Sequence, residues 1–274
     1  MSTQDGKWWS RSWNPLRVKG GGWYCTKISP GCSRCWSEAY NKRFGNGLPF
    51  DTREVEFVLD QRILKAPLRW KKPRVISVQW LGDLFHEQIP PELVDDIRRI
   101  IYLAKQHIFL VLTKRPAQMA WFMSLHYGQF DAGHINSPNN LWLGVSISTQ
   151  QEANEKIPIL LQTPAAHRFV NIEPMLEEIN FGYITNPAIG PTQNVLGDKY
   201  AVYQNNENII NWVLLGCESG PGRRPMKLEW ARSIAQQCRA AGVNLWIKQL
   251  DINGKVSKDM NDWPEDLRVR QWPW

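Results

Sequence analysis

The chain has 274 residues, 43% hydrophobic and 22% charged, enough for one large domain, such as an α/β barrel, or two small ones, with a substantial core. No run approaches the roughly 18 apolar residues of a membrane helix, and MSTQDGKWWSRSW lacks the apolar region of a secretory signal, so the expected location is the cytoplasm, where thiols stay reduced. The charge of +7 and pI near 9.2 favour a polyanionic partner, although the basic residues are spread along the chain and a plain solvated basic surface is the competing reading.

In chain order, residues 18–24 form the first strand, and GGWYCTKISPGCSRCW (21–36) then places Cys25, Cys32 and Cys35 within eleven positions. Cys35 to Arg43 reads as a short helix, and Glu54 to Lys65 as a second before a break at Pro67. RVISVQW (74–80) is a β-branched apolar run. PPELVDDIRRIIYLAKQ (90–106) opens on proline and carries apolar residues at helical spacing. IFLVLTKRP (108–116) is a buried strand, followed by a helix near 117–126. LWLGVSIST (141–149) runs from strand to loop, and a helix from 150 to 161 carries Pro158 as a kink or break. RFVNIEP (168–174), NWVLLGCESGPG (211–222) and VNLWIKQ (243–249) supply three further strands, with a helix over 227–242 ending on glycine.

Strands alternating with helices imply a parallel sheet joined by right-handed crossovers. Six or seven such strands point to α/β architecture in a full or partial (β/α) barrel, with a doubly wound sheet as the alternative. The reading is a single domain over 1–274, with a polar insertion or lid at 180–208. Fifteen tryptophans are many for this length. Several, including Trp8, Trp9, Trp13, Trp70, Trp272 and Trp274, stand near charge, which suits base stacking, but tryptophan also fills cores, and the core reading carries more weight.

In parallel α/β folds the active site lies at the carboxyl ends of the strands. Those ends hold the three cysteines, then Gly82, Asp83 and His86, then Thr113, Lys114 and Arg115. Ser146 and Ser148 follow, with Asn171 and Glu173, then Gly216, Glu218, Ser219 and Gly220, and finally Lys248 and Gln249. Taken singly, each has a bland explanation as a solvated or capping residue. Taken together, an apolar strand followed by polar residues recurs along the chain.

Five cysteines, an odd number with three clustered, do not read as a disulfide framework. Thiolates bind soft metals, and Cys32-Ser-Arg-Cys35 can grip one centre from a tight turn. Structural zinc wants four ligands. Cys217 and Cys238 are remote in sequence, and His86 is the one histidine at a plausible strand end. Three local cysteines suit a [4Fe-4S] cluster with one open iron. The alternative is zinc held by Cys25, Cys32, Cys35 and His86 in a nucleic-acid-binding module without catalysis.

WNP, GWYCTKISPGCSRCW, GDLFHEQIP, LTKRP, LWLGVSIST, RFVNIEPML, GCESGPGRRPM and IKQ together resemble a family of phage and prophage proteins of unassigned function. That family carries a three-cysteine motif and is grouped with radical S-adenosylmethionine (SAM) enzymes, and the likeness runs over nearly the whole chain. It implies a radical-SAM-type barrel in which Cys25, Cys32 and Cys35 hold a [4Fe-4S] cluster and the fourth iron chelates SAM. The commonest radical SAM spacing is three residues and then two, with an aromatic before the third cysteine. Here the first gap is six, Arg34 precedes Cys35 and Trp36 follows it.

On that resemblance the cofactor is expected among Trp36, Gly82, Asp83, Ser146, Ser148, Glu173, Gly216, Glu218 and Ser219. An electron donor for the cluster is implied as a partner. His86, Lys114, Arg115, Arg223, Arg224 and Lys248 are left for an anionic substrate, whether DNA, RNA or a nucleotide. Cys217 is the expected hydrogen-atom donor to a substrate radical, against the plain reading of a small packed residue.

Overall fold

The computed structural model describes residues 6–51, 53–127, 137–186, 190–191, 194–197 and 209–274. The chain makes two compact units, one of residues 9–143 with 163–166, the other of residues 1–8, 144–162 and 167–274.

In the first unit the chain opens with β1 (Arg11–Trp13) and β2 (Leu16–Val18). It continues through α1 (Trp36–Phe44), β3 (Phe57–Leu59), α2 (Gln61–Leu64) and α3 (Ala66–Arg69). Then come β4 (Val75–Val78), α4 (Pro91–Leu103), β5 (Ile108–Thr113), α5 (Pro116–Tyr127) and the start of β6 (Leu141–Ile147). β4 pairs parallel with both β1 and β5, setting Trp13 opposite Val78 and Val75 opposite Ile108. α4 forms because Val94, Ile97, Ile100 and Ile101 recur on one face, and all four are buried.

Two expectations are corrected here. The first parallel strand is β1, not 18–24: residues 16–18 pair antiparallel with β3, where Leu16 faces Leu59, and the chain from 19 to 24 forms a turn and open loop. The expected helix over 54–65 is β3 and then α2, which Asp60 starts by accepting from the amides of Arg62 and Ile63, both at 3.0 Å.

The second unit takes the rest of β6, then α6 (Gln150–Gln162), β7 (His167–Ile172), β8 (Thr185–Asn186) and β9 (Gly190–Pro191). It closes with β10 (Trp212–Gly216), α7 (Leu228–Ala241), β11 (Asn244–Ile252) and β12 (Lys255–Ser257). β10 lies parallel between β7 and β11, with a bulge between Leu215 and Gly216, and β12 turns back antiparallel on β11. Pro158 lies inside α6 without ending it. Gly242 caps α7 in the left-handed region at φ +72°, as its position after the last helical turn predicts.

The main sheet therefore has eight strands in the order β1-β4-β5-β6-β7-β10-β11-β12, mostly parallel, and the class is α/β. Much of the expected lid, residues 187–189, 192–193 and 198–208, lies outside the described residues; β8 and β9 form a small antiparallel pair of their own.

The core reading of tryptophan holds at several positions. Trp13 is buried edge-on against Phe109, with ring centroids 5.6 Å apart, and its Nε1 donates to Ile63 O at 2.8 Å. In the other unit Trp8 packs on Trp212 and Phe169, while Trp272 and Trp274 close over Trp212. Among the described residues no helix is long and apolar enough to cross a membrane.

Candidate functional site

The cysteine loop is held from below by a buried asparagine. Asn41 on α1 accepts from the amide of Trp23 at 2.9 Å and donates to Asn46 Oδ1 at 2.8 Å and Leu48 O at 3.1 Å. Ser29 accepts from Gly31 N and starts a short 3-10 turn, Pro30–Cys32, which carries Cys32 inward. Cys35 is the residue at which α1 begins. Cys32 is buried, Cys25 and Cys35 are half-buried, and all three are free thiols.

The turn after β4 packs directly on this loop. A Cβ at Gly82 would sit 2.8 Å from Tyr24 O, so only glycine fits there. The next residue, Asp83, is an acceptor hub. It takes Thr113 Oγ1 at 2.7 Å, Lys114 N at 3.0 Å, Phe85 N at 3.1 Å and Arg115 Nη1 at 3.3 Å. Arg115 is buried and spreads its guanidinium over four partners. Besides Asp83 it reaches Glu87 Oε2 at 2.8 Å, Thr26 Oγ1 at 2.5 Å and the sulfur of Cys25 at 3.7 Å.

Burial pushes the Cys25 thiol up to about 12, Asp83 adds to the rise, and Arg115 opposes it. Cys35 and Cys32 add smaller rises to Cys25. Burial also raises Cys35, against the pull of the Glu38 and Ser37 amides at the helix start and of Lys114. His86 is held below the usual histidine range by burial first and Arg115 second. Its Nδ1 accepts from Gln88 N at 3.2 Å, which leaves Nε2 as the donor to Thr26 Oγ1 at 3.2 Å.

The structure thus gathers Cys25, Cys32, Cys35, Gly82, Asp83, His86, Lys114 and Arg115 in one unit, with Trp36 at the first position of α1. Thr26 and Glu87 complete the group, and neither was expected. Thr26 adjoins Cys25 in sequence and Glu87 adjoins His86, but no motif marks either as a partner of Arg115.

The remaining expected residues belong to the second unit. Ser146 O accepts from Lys156 Nζ at 3.2 Å, and Ser148 N donates to Glu152 at 2.7 Å. The buried Ser148 Oγ and Asn171 Oδ1 have no partner among the described residues. Glu173 pairs with Lys248, and Arg224 donates to Glu218 from Nε at 3.0 Å and from Nη2 at 2.5 Å. Arg223 grips Asp251 at 2.6 and 3.1 Å. Three expected substrate cations therefore already face internal carboxylates, of which Asp251 was not anticipated. Cys217 is fully buried and pushed up to about 12, chiefly by burial, so its sulfur keeps its hydrogen at neutral pH. Ser219 is exposed beside Gly220 at φ +97°.

Among the described residues no three His, Cys, Asp or Glu side chains stand at metal-holding separations. The donor set of the cysteine loop nevertheless fits a soft metal centre: three free thiols stand on one short segment, and thiolates are soft-metal ligands. No curated protein and no solved structure matches the chain. A sequence family does match, over residues 4–266, and the chain belongs to it: the family described as protein of unknown function, DUF5131.

Proposed function

We propose that the chain is an iron-sulfur enzyme of the radical SAM type, built on a full or partial (β/α) barrel and acting on an anionic, nucleotide-bearing substrate. The observation that supports this most directly is the placement of Cys25, Cys32 and Cys35 on one loop clamped by Asn41 and packed under Gly82. These three residues would hold a [4Fe-4S] cluster. When bound with SAM, such a cluster supplies one electron for reductive carbon-sulfur cleavage to a 5′-deoxyadenosyl radical.

The chain's own residues have definable parts. Asp83 and Glu87 fix the plane of Arg115, and Arg115 presents an N–H to the Cys25 sulfur, where it would favour the thiolate form that a metal ligand takes. Thr26 receives both Arg115 and His86, which ties the loop to the turn after β4. Cys217 retains its S–H, as a hydrogen-atom donor must. The zinc alternative asks His86 for a lone pair that Gln88 N–H already occupies.

Anaerobic purification should yield a brown protein with about four iron and four sulfide per chain. SAM should perturb its EPR signal, and dithionite should release 5′-deoxyadenosine. Cys32→Ala should abolish all three. A colourless protein with stoichiometric zinc after anaerobic reconstitution overturns the proposal.

A further inference from the structure

Helix α1 is packed inside out. Its buried residues are Ser37, Glu38 and Asn41, while Trp36, Tyr40 and Phe44 are 54%, 40% and 58% exposed. These rings recur every fourth residue, so they form one stripe about 12 Å long on a single helix face. Water contact forfeits the burial free energy of a large apolar side chain, and solvation alone would select the opposite face. Tyr40 and Phe44 lie 4.8 Å apart and Trp23 adjoins Tyr40 at 5.7 Å, while Ile28 adds a further exposed apolar residue from the cysteine loop.

Cations frame the stripe. The Arg43 guanidinium lies 4.8 Å from the Phe44 ring centre and that of Arg17 4.1 Å from the Trp23 ring centre. Residues 17–44 contain Arg17, Lys19, Lys27, Arg34, Lys42 and Arg43 against Glu38, a net +5 of the chain's +7, of which Lys19 is offset by Glu56 outside the segment at 2.7 Å. Exposed rings interleaved with cations are what an unpaired base and its phosphate require together: the ring takes the base face, the cation the phosphate. A protein partner would need shape complementarity rather than this charge excess, and a duplex hides its base faces.

We propose that the exposed face of α1 is a stacking platform for single-stranded nucleic acid, beginning at the residue after Cys35. The inference gives the substrate class of the proposed enzyme and rests on that reading for its catalytic meaning, while binding itself requires no cluster.

Fluorescence anisotropy with labelled oligothymidylate and oligouridylate tests it, and the two arms separate DNA from RNA. Tyr40→Ala and Phe44→Ala should each weaken binding about tenfold, within the range for losing one stacked base. Phe44→Tyr should retain binding, and the urea midpoint of Phe44→Ala should stay near the wild-type value because that ring is 58% exposed. Wild-type protein purified with and without iron should bind alike, so a failed iron assay and a failed platform are told apart. Absence of single-strand binding at low salt overturns the proposal. So does binding that ignores both alanine variants, or equal affinity for duplex. Stripe-dependent binding to phosphatidylserine vesicles without single-strand binding overturns it in favour of a membrane surface.

Discussion

Asp83 shows how one carboxylate organises a site without itself being offered to a ligand. Its two oxygens meet four donors from Thr113, Lys114, Phe85 and Arg115, and it is buried. Asp83→Asn keeps the shape but replaces an acceptor with an amide that faces donors. It also leaves Arg115 short of one counter-charge. The expected loss is about 3 kcal/mol, the low end for removing one partner of a buried ion pair, read as a lower urea midpoint. Arg115→Lys should be milder in stability, since Lys keeps the charge, yet it cannot serve Glu87, Thr26 and Cys25 at once. The cysteines and the polar residues after β4 and β5 were legible because each follows a clear apolar run or a tight spacing. The hub was not. Asp83, Arg115 and Thr26 are separated by up to 89 residues, and nothing local in LTKRP says that its arginine turns inward onto a cysteine.

At the scale of elements, long apolar runs and helical spacing located β4 through β7, β10, β11 and the helices between them. Three-residue strands were not legible. β1 buries only Trp13 of its three residues, and β3 lies where Glu54 to Lys65 mimics a helix. The same limit applies to α1: rings every fourth residue mark a stripe in sequence, but only packing shows that the stripe faces outward. β11 also carries a titratable strut. Asp251 accepts twice from Arg223 and once from Met226 N, at 3.3 Å, which fastens the 223–226 loop. The Arg223 hydrogen bonds hold its carboxyl below the usual range. Between the folded and unfolded pKa values the unfolded chain binds more protons, so this contribution is complete above about pH 4 and fades as pH falls through the folded value. Wild type should exceed Asp251→Asn in urea midpoint by a constant margin from neutral pH to about pH 5, and the margin should shrink in more acidic buffer. A margin that stays constant into strong acid would show that Asp251 is not the titrating strut.

Across the whole molecule, basic residues are spread along the sequence, but acidic ones offset them unevenly. Outside residues 17–44 the remaining charge is +2, so by sequence the basic excess is concentrated in the segment of the cysteine loop and α1, where Lys19 is offset by Glu56 and Lys27 and Lys42 share Glu38. A uniform coat and a local platform predict different salt dependences. Counterion release from a single strand contributes about 0.7 unit of log-log slope for each phosphate neutralised, wherever the cation sits. Neutralising Arg34, Lys42 and Arg43 together to Gln should therefore lower the slope of log affinity against log salt by about 2 units, if each meets one phosphate. Three neutralisations of exposed residues of the other unit, Arg239→Gln, Lys255→Gln and Lys258→Gln, should leave the slope at its wild-type value. Equal losses from both sets would mean that the positive field acts as a whole and that α1 holds no special place in binding. A loss confined to the first set, with affinity also falling for Phe44→Ala at constant slope, would separate the two components of recognition: cations that set the salt slope and rings that set affinity without it.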